Sequence, residues 1–193
     1  MKPPTEADVI ADHVFEDERK LRLAVKVGLA FPTIKEKIIR KFVQSLVLEL
    51  EARLGKQWVV TDYWTDDPLQ KERQVALAKS SWLNRANIGL ECEKAGPSDL
   101  LYFVWRASRQ KASAITDLKQ SLDDKFSHGN HYSPSSGGDT LWWKHVDPPY
   151  RDWTDEDMLV ALWWKKEAIE YYANRLVKIC KIAGPSLDKL LIK

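Results

Sequence analysis

The stretch LWWKHVDPPYRDWTDED, residues 141–157, holds three tryptophans, a tyrosine, paired prolines and a closing run of acids in seventeen positions. Aromatic and β-branched residues over 140–146 predict a short strand. Pro148 and Pro149 stop it, because proline has no amide to donate and fixes its own φ. Beyond them Thr154 is expected to be a helix N-cap, with Asp155, Glu156 and Asp157 in the first turn, where negative charge opposes the positive helix end. Tyr150 and Trp153 are then placed to pack back onto the sheet, so the stretch reads as the hinge on which the fold closes.

Outward on the C-terminal side, a helix is expected over 155–183, about 43 Å long at the α-helical rise if unbroken. Lys178 and Lys181 lie near its end, and Gly184 and Pro185 serve as its stop. Lys165 and Lys166 interrupt the apolar face between Leu162 and Ile169, which places a bend there. On the N-terminal side of the hinge, SHGNHYSPSSGGD (127–139) is rich in Ser and Gly and is expected to be an exposed loop. Before it, Ala112, Ile115, Leu118, Leu122 and Phe126 share one face of a helix over 109–126.

Strands are expected at 57–64, 74–82, 86–94 and 100–107. In 86–94, Ile88, Leu90 and Cys92 point one way while Gly89, Glu91 and Glu93 point the other, the alternation of a half-buried antiparallel strand. Gly96 and Pro97 make the following turn, so a meander results. Further back, Ile38, Phe42, Leu46, Leu50 and Leu54 recur at intervals of four on a helix from Thr33, with Glu36 completing a capping box and Gly55 ending it. Lys37, Lys41, Gln44 and Glu51 form its solvated stripe. Leu21, Val25 and Leu29 predict a short helix over 15–31, and residues 1–13 a flexible arm. The expected fold is α+β: a single domain over 14–193, with an antiparallel sheet of about five strands packed by long N- and C-terminal helices.

With 193 residues, 44% of them apolar, the chain is long enough to bury a sizeable core. Thirty bases against 28 acids give a formal charge of +2, so no global field marks a nucleic-acid binder. Two widely separated cysteines, Cys92 and Cys180, suit a reducing cytoplasm, and both are expected to be buried thiols. No run of about 18 apolar residues occurs, so no membrane span is expected.

ECEK (91–94) is the most tempting chemistry. A PD-(D/E)XK nuclease core needs an acid and a lysine two residues apart, sharing a strand face and aimed at one metal-bound phosphate. Here Glu91 and Glu93 share a face and Lys94 turns away. A metal-dependent nuclease using Asp62 or Asp67 with Glu91 and Glu93 is therefore the third reading, and no catalytic or metal-binding residue is expected. His128 and His131 have ligand spacing without a third donor. No phosphate loop, dinucleotide fingerprint, hydrolase elbow or HExxH occurs, and no cofactor is expected.

The best basic patch is Arg106, Arg109 and Lys111, with Lys79 and Arg85 on adjoining strands, and it supports a nucleic-acid-binding alternative. Of nine tryptophans, Trp58, Trp105, Trp142 and Trp163 are expected in the core. Trp64, Trp82 and Trp143 are expected to reach the surface as a partner-facing patch, which would also suit a homodimer.

The residues Trp143, Lys144, Pro149, Tyr150, Arg151, Asp152, Trp153 and Thr154 resemble the C-terminal portion of phage and bacterial PD-(D/E)XK nuclease-family proteins. NIGLECEK with LLYFVWRA is similar to the hairpin before it in that group, and FVQSLVLELEARLG to the preceding helix. In that group this portion follows the nuclease core. The chain begins at Met1 and is expected to leave no room for such a core, so the resemblance implies either a standalone relative of the accessory domain or one separated from its enzyme, without catalytic residues in either case. It implies a non-enzymatic binding module in phage or bacterial conflict, an inhibitor that occupies a host protein or nucleoprotein complex.

Overall fold

A computed structural model of the chain describes residues 3–82, 84–94, 96–107, 113–126, 133–135, 138–164 and 166–191. The fold is α+β, with one antiparallel sheet in the spatial order β1–β2–β3–β4–β6–β5. Its strands are β1 (Trp58–Asp62), β2 (Gln74–Lys79), β3 (Ala86–Lys94), β4 (Ser98–Arg106), β5 (Ser133–Ser135) and β6 (Gly138–His145). The helices are α1 (Glu6–Phe15), α2 (Glu18–Leu54), α3 (Ser113–Phe126), α4 (Glu156–Trp164) and α5 (Lys166–Leu191). About five strands were foreseen. The sixth, β5, falls in the Ser/Gly stretch expected to be loop, with Ser133 opposite Thr140 and Ser135 opposite Gly138.

The chain divides into two compact units, 1–37 and 38–193. In the first unit the flexible arm is replaced by α1. Thr5 Oγ1 accepts from the Asp8 amide (3.3 Å) while Asp8 Oδ2 accepts from the Thr5 amide (2.8 Å), a reciprocal capping box. Helix α2 starts where Asp17 Oδ1 accepts from the Lys20 amide (2.8 Å), and it runs through Pro32. The start expected at Thr33 is therefore interior. Pro32 removes one amide hydrogen bond without ending the helix.

In the second unit, the period-two alternation sorts the sheet into two faces. Val75 and Leu77 of β2, Ile88, Leu90 and Cys92 of β3, Tyr102 and Val104 of β4 and Trp142 of β6 are buried with α3, α5 and the C-terminal half of α2. On α2, Ile39, Phe42, Val43, Leu46 and Leu50 are buried, while Lys37, Lys41, Gln44 and Glu51 are exposed. A register shift between Val104 and Trp105 lets both Leu141 and Trp142 be buried although they are consecutive, the effect of one extra residue in a bulged strand. Trp142 Nε1 donates to Asp123 Oδ1 of α3 (3.0 Å).

The 147–155 stretch is the hinge. Its backbone bonds the start of β4: the Leu100 amide donates to the Arg151 carbonyl (3.0 Å) and the Trp153 amide to the Pro97 carbonyl (2.9 Å). The Trp153 ring is fully buried against Phe42 (5.0 Å between centroids), Trp64 (5.2 Å) and Tyr172 (5.7 Å). Its indole donates to Tyr172 Oη (2.6 Å), and Tyr172 Oη in turn donates to the Tyr150 carbonyl. The N-cap role expected of Thr154 passes to Asp155, whose Oδ1 accepts from the Met158 amide (3.2 Å), because Thr154 is itself held by Asp152 Oδ1 (2.8 and 2.6 Å).

The helix expected over 155–183 is described as two helices, α4 ending at Trp164 and α5 beginning at Lys166. Gly184 and Pro185 do not stop α5. Leu187 and Leu191 are buried beyond them, and Asp188 accepts from Trp82 Nε1 (2.7 Å) and Lys79 Nζ (2.5 Å), so tertiary packing overrides the local stop signal.

Replacing Trp153 by Ala is expected to lower unfolding free energy by about 3 to 5 kcal/mol. Trp164→Ala, at a residue 77% exposed, is expected to change it by no more than about 0.5 kcal/mol. Urea denaturation of the two variants measures the contrast.

Candidate functional site

The sheet face turned away from the helical core carries a cavity of about 470 Å³. Its position follows from register. Gly89 of β3 stands opposite Phe103 of β4, and Phe103 opposite Trp143 of β6. One row along, Glu91 stands opposite Gln74 and Leu101. On the other side, Asn87 stands opposite Trp105, which stands opposite Thr140. Gly89 makes the hollow: a Cβ placed there would come within 2.6 Å of the Phe103 ring and 2.5 Å of the Val75 carbonyl oxygen. Phe103 therefore lies across a position that only glycine tolerates, and a glycine inside a strand marks that close approach.

The cavity wall is acidic and aromatic. Glu91 and Glu93 line it together with Phe103, Trp105 and Trp143, and no Lys or Arg is among the lining residues described. Burial, reinforced by the like charges of Glu72 and Glu93, pushes the Glu91 carboxyl up to about 7. Asn87 Oδ1 is buried with no hydrogen-bond partner among the described residues. His145, beside Trp143 (5.2 Å between ring centroids), reaches Glu93 at 4.0 Å. The Glu91 carboxyl, the unpartnered Asn87 carbonyl and the aromatic faces all favour a ligand that donates hydrogen bonds and carries positive charge.

The geometry separates the acids of the third reading. Asp62 stands opposite Val75, which stands opposite Leu90, so Asp62 belongs to the helix-facing rows while Glu91 and Glu93 belong to the other face. Asp62 is further engaged in the turn after β1, accepting from the Trp64 amide (2.7 Å) and from Thr65 Oγ1. Asp67 Oδ1 accepts from the Leu69 amide (3.3 Å) in the loop. Lys94 turns away from the two glutamates and pairs with Asp99, which also holds Arg151 (2.5 Å). Hydrogen bonds from Lys94 and from Arg151 keep the Asp99 carboxyl below its ordinary range. Among the described residues no group of three or more His, Cys, Asp and Glu side chains is placed to hold a metal ion. His128 and His131 lie outside the described residues.

Of the expected basic patch, Arg106, Lys79 and Arg85 are among the described residues. Arg106 is 3% exposed and stands in the helix-facing row opposite Ala86. Lys79 is neutralised by Asp188, Arg85 is exposed with its Nε donating to the Trp82 carbonyl (3.2 Å), and Arg109 and Lys111 lie outside the described residues.

Of the expected surface tryptophans, only Trp143 lines the cavity. Trp64 is fully buried because the Asp62 turn folds it back onto Trp153, and Trp82 is buried because Asp188 draws its indole N–H inward. Trp163, expected in the core, is 38% exposed under the Lys41 ammonium, 3.7 Å from its ring centroid. Cys92 and Cys180 are both buried, and burial raises both thiols. Phe103, Asn87 and Trp105 were not foreseen as a site; the signal for them was Gly89 in mid-strand.

Comparison with protein-family models, with curated proteins and with solved structures finds no match.

The native chain keeps a proton on Glu91 over the range, from about 4.5 to about 7, in which the unfolded chain has lost it. Its raised value therefore favours the native state in full below pH 4.5, and that advantage is lost as pH rises through the window. Glu91→Gln is expected to leave the urea midpoint nearly unchanged at pH 4 and to raise it at pH 8. Denaturation at the two pH values checks this.

Proposed function

We propose that the protein is a binding module that acts by contact, taking a cationic side chain of a protein partner, arginine or lysine, into the acidic and aromatic cavity on the open face of its sheet. The observation that carries this reading is the hollow itself, in which Glu91 and Glu93 stand beside aromatic rings with no base among the described lining residues; burial and neighbouring acids hold the Glu91 carboxyl above its ordinary range there. A guanidinium entering the hollow would relieve that repulsion, donate to Asn87 Oδ1 and stack on the aromatic rings. The register supports contact without chemical change, since the upstream aspartate and the two glutamates lie on opposite faces of the sheet. The burial of Arg106 and the pairing of Lys79 favour a protein partner over nucleic acid. The phage or bacterial setting comes from the likeness of the 143–154 motif, and recognition of a cation does not depend on it.

Titration of the full chain with a short arginine-containing peptide, followed by calorimetry, tests this. Saturable binding is expected, about tenfold or more weaker in Glu91→Gln/Glu93→Gln. It should also be weaker at pH 5 than at pH 8, because protonated Glu91 no longer attracts the cation. Equal binding of a peptide with glutamate in place of arginine, or affinity only for duplex DNA falling steeply with salt, would overturn the reading.

A further inference from the structure

The first unit carries a surface that the cavity does not account for. No residue of α1 is buried, and α2 buries none before Ile39. Phe15, Leu23, Val25, Val27, Leu29 and Phe31 are all exposed, the most open being Leu29 at 79%. Helices in proteins draw most of their stability from packing an apolar face, and this segment also contains Gly28 and Pro32 and two β-branched valines. So much exposed apolar side chain along one segment is more than a monomer ordinarily leaves in water.

Charge along the same segment is polarised. Residues 3–18 contain six carboxylates and no Lys or Arg, whereas residues 19–37 contain six Lys and Arg and one acid. Lys20 with Glu16 and Arg22 with Glu18 pair across the junction. Glu6, Asp12, Lys26 and Lys37 have no ion pair among the described residues.

We infer that this segment is a self-association surface, and that a second copy of the chain lies antiparallel along it. Antiparallel pairing sets residues 3–18 of each copy against residues 19–37 of the other, acid on base twice over, and closes as a two-fold dimer. Parallel pairing would set acid on acid and base on base. Leu23, Val27 and Phe31, spaced by four on α2, share one face, and in the two copies they cover one another, with the charges at the rim fixing orientation. This inference concerns a different surface from the cavity, and either can fail alone.

Size-exclusion chromatography with light scattering on the full chain, at tens of micromolar and low salt, is the test. The expected mass is twice 22.3 kDa. The variant Leu23→Glu/Val27→Glu/Phe31→Glu should dissociate at least about tenfold more readily, while its urea midpoint, read at a concentration where parent and variant are both monomeric, stays close to that of the parent, because these side chains are 46% exposed or more. Glu6→Lys/Asp12→Lys and Lys26→Glu/Lys37→Glu should each dimerise more weakly alone and associate with each other when mixed. A monomeric parent, a dimer that survives the triple substitution, or a monomer that sediments with anionic phospholipid vesicles would overturn the inference.

Discussion

The indole N–H of Trp153 donates to the Tyr172 hydroxyl, and that hydroxyl donates onward to the carbonyl of Tyr150. Only a neutral phenol can accept the first bond and make the second, and burial pushes the Tyr172 hydroxyl well above its ordinary value. Through this relay the turn after β6 is tied to α5. Phe42 of α2 and Trp64 of the loop after β1 close on the same indole, so one side chain joins four separate parts of the second unit. A buried donor left unpaired loses its full solvation, which is why the relay restricts how the helices can approach the sheet.

The helical layer fixed in this way covers only one face of the sheet. What remains on the other face is set by alternation: away from the bulge at Leu141, a strand residue whose neighbour points into the core is turned to the open face. Glu91 and Glu93 are there because Leu90 and Cys92 are core, and Trp143 is there because Trp142 is core. Gly89 then decides the shape of the hollow, since its missing side chain lets Phe103 lie across the strand. The acids repel one another in a partly dry place, and Glu91 meets that repulsion by holding its proton up to about 7; a bound cation is the relief proposed above.

The strands were legible because β-branched and aromatic residues with a period of two leave little choice, and 86–94 was read to its residue bounds. The hinge at 147–155 was legible from its prolines and aromatics. Local stop and start signals misled where tertiary packing outweighed them: Pro32 lies within α2, and Pro185 within α5 because Leu187, Asp188 and Leu191 hold the next turn against the sheet. Thr5 and Asp8 were a readable capping box that the polar composition of the arm obscured. The tryptophans were hardest. Whether Trp64 or Trp82 faces water depends on Asp62 two residues before and Asp188 over a hundred residues away, and periodicity carries neither. The cavity was half legible: the shared face of Glu91 and Glu93 followed from spacing, but its aromatic wall required the register between strands.

The most direct measurement of the central claim, that the open sheet face is a receptor for a cation, is a carboxyl-carbon NMR titration of Glu91. In the free chain Glu91 should titrate near 7, and with an arginine peptide bound it should fall toward the ordinary glutamate range, since a cation stabilises the ionised form. An ordinary value in the free chain, or a raised value that the peptide leaves unmoved, would contradict the account.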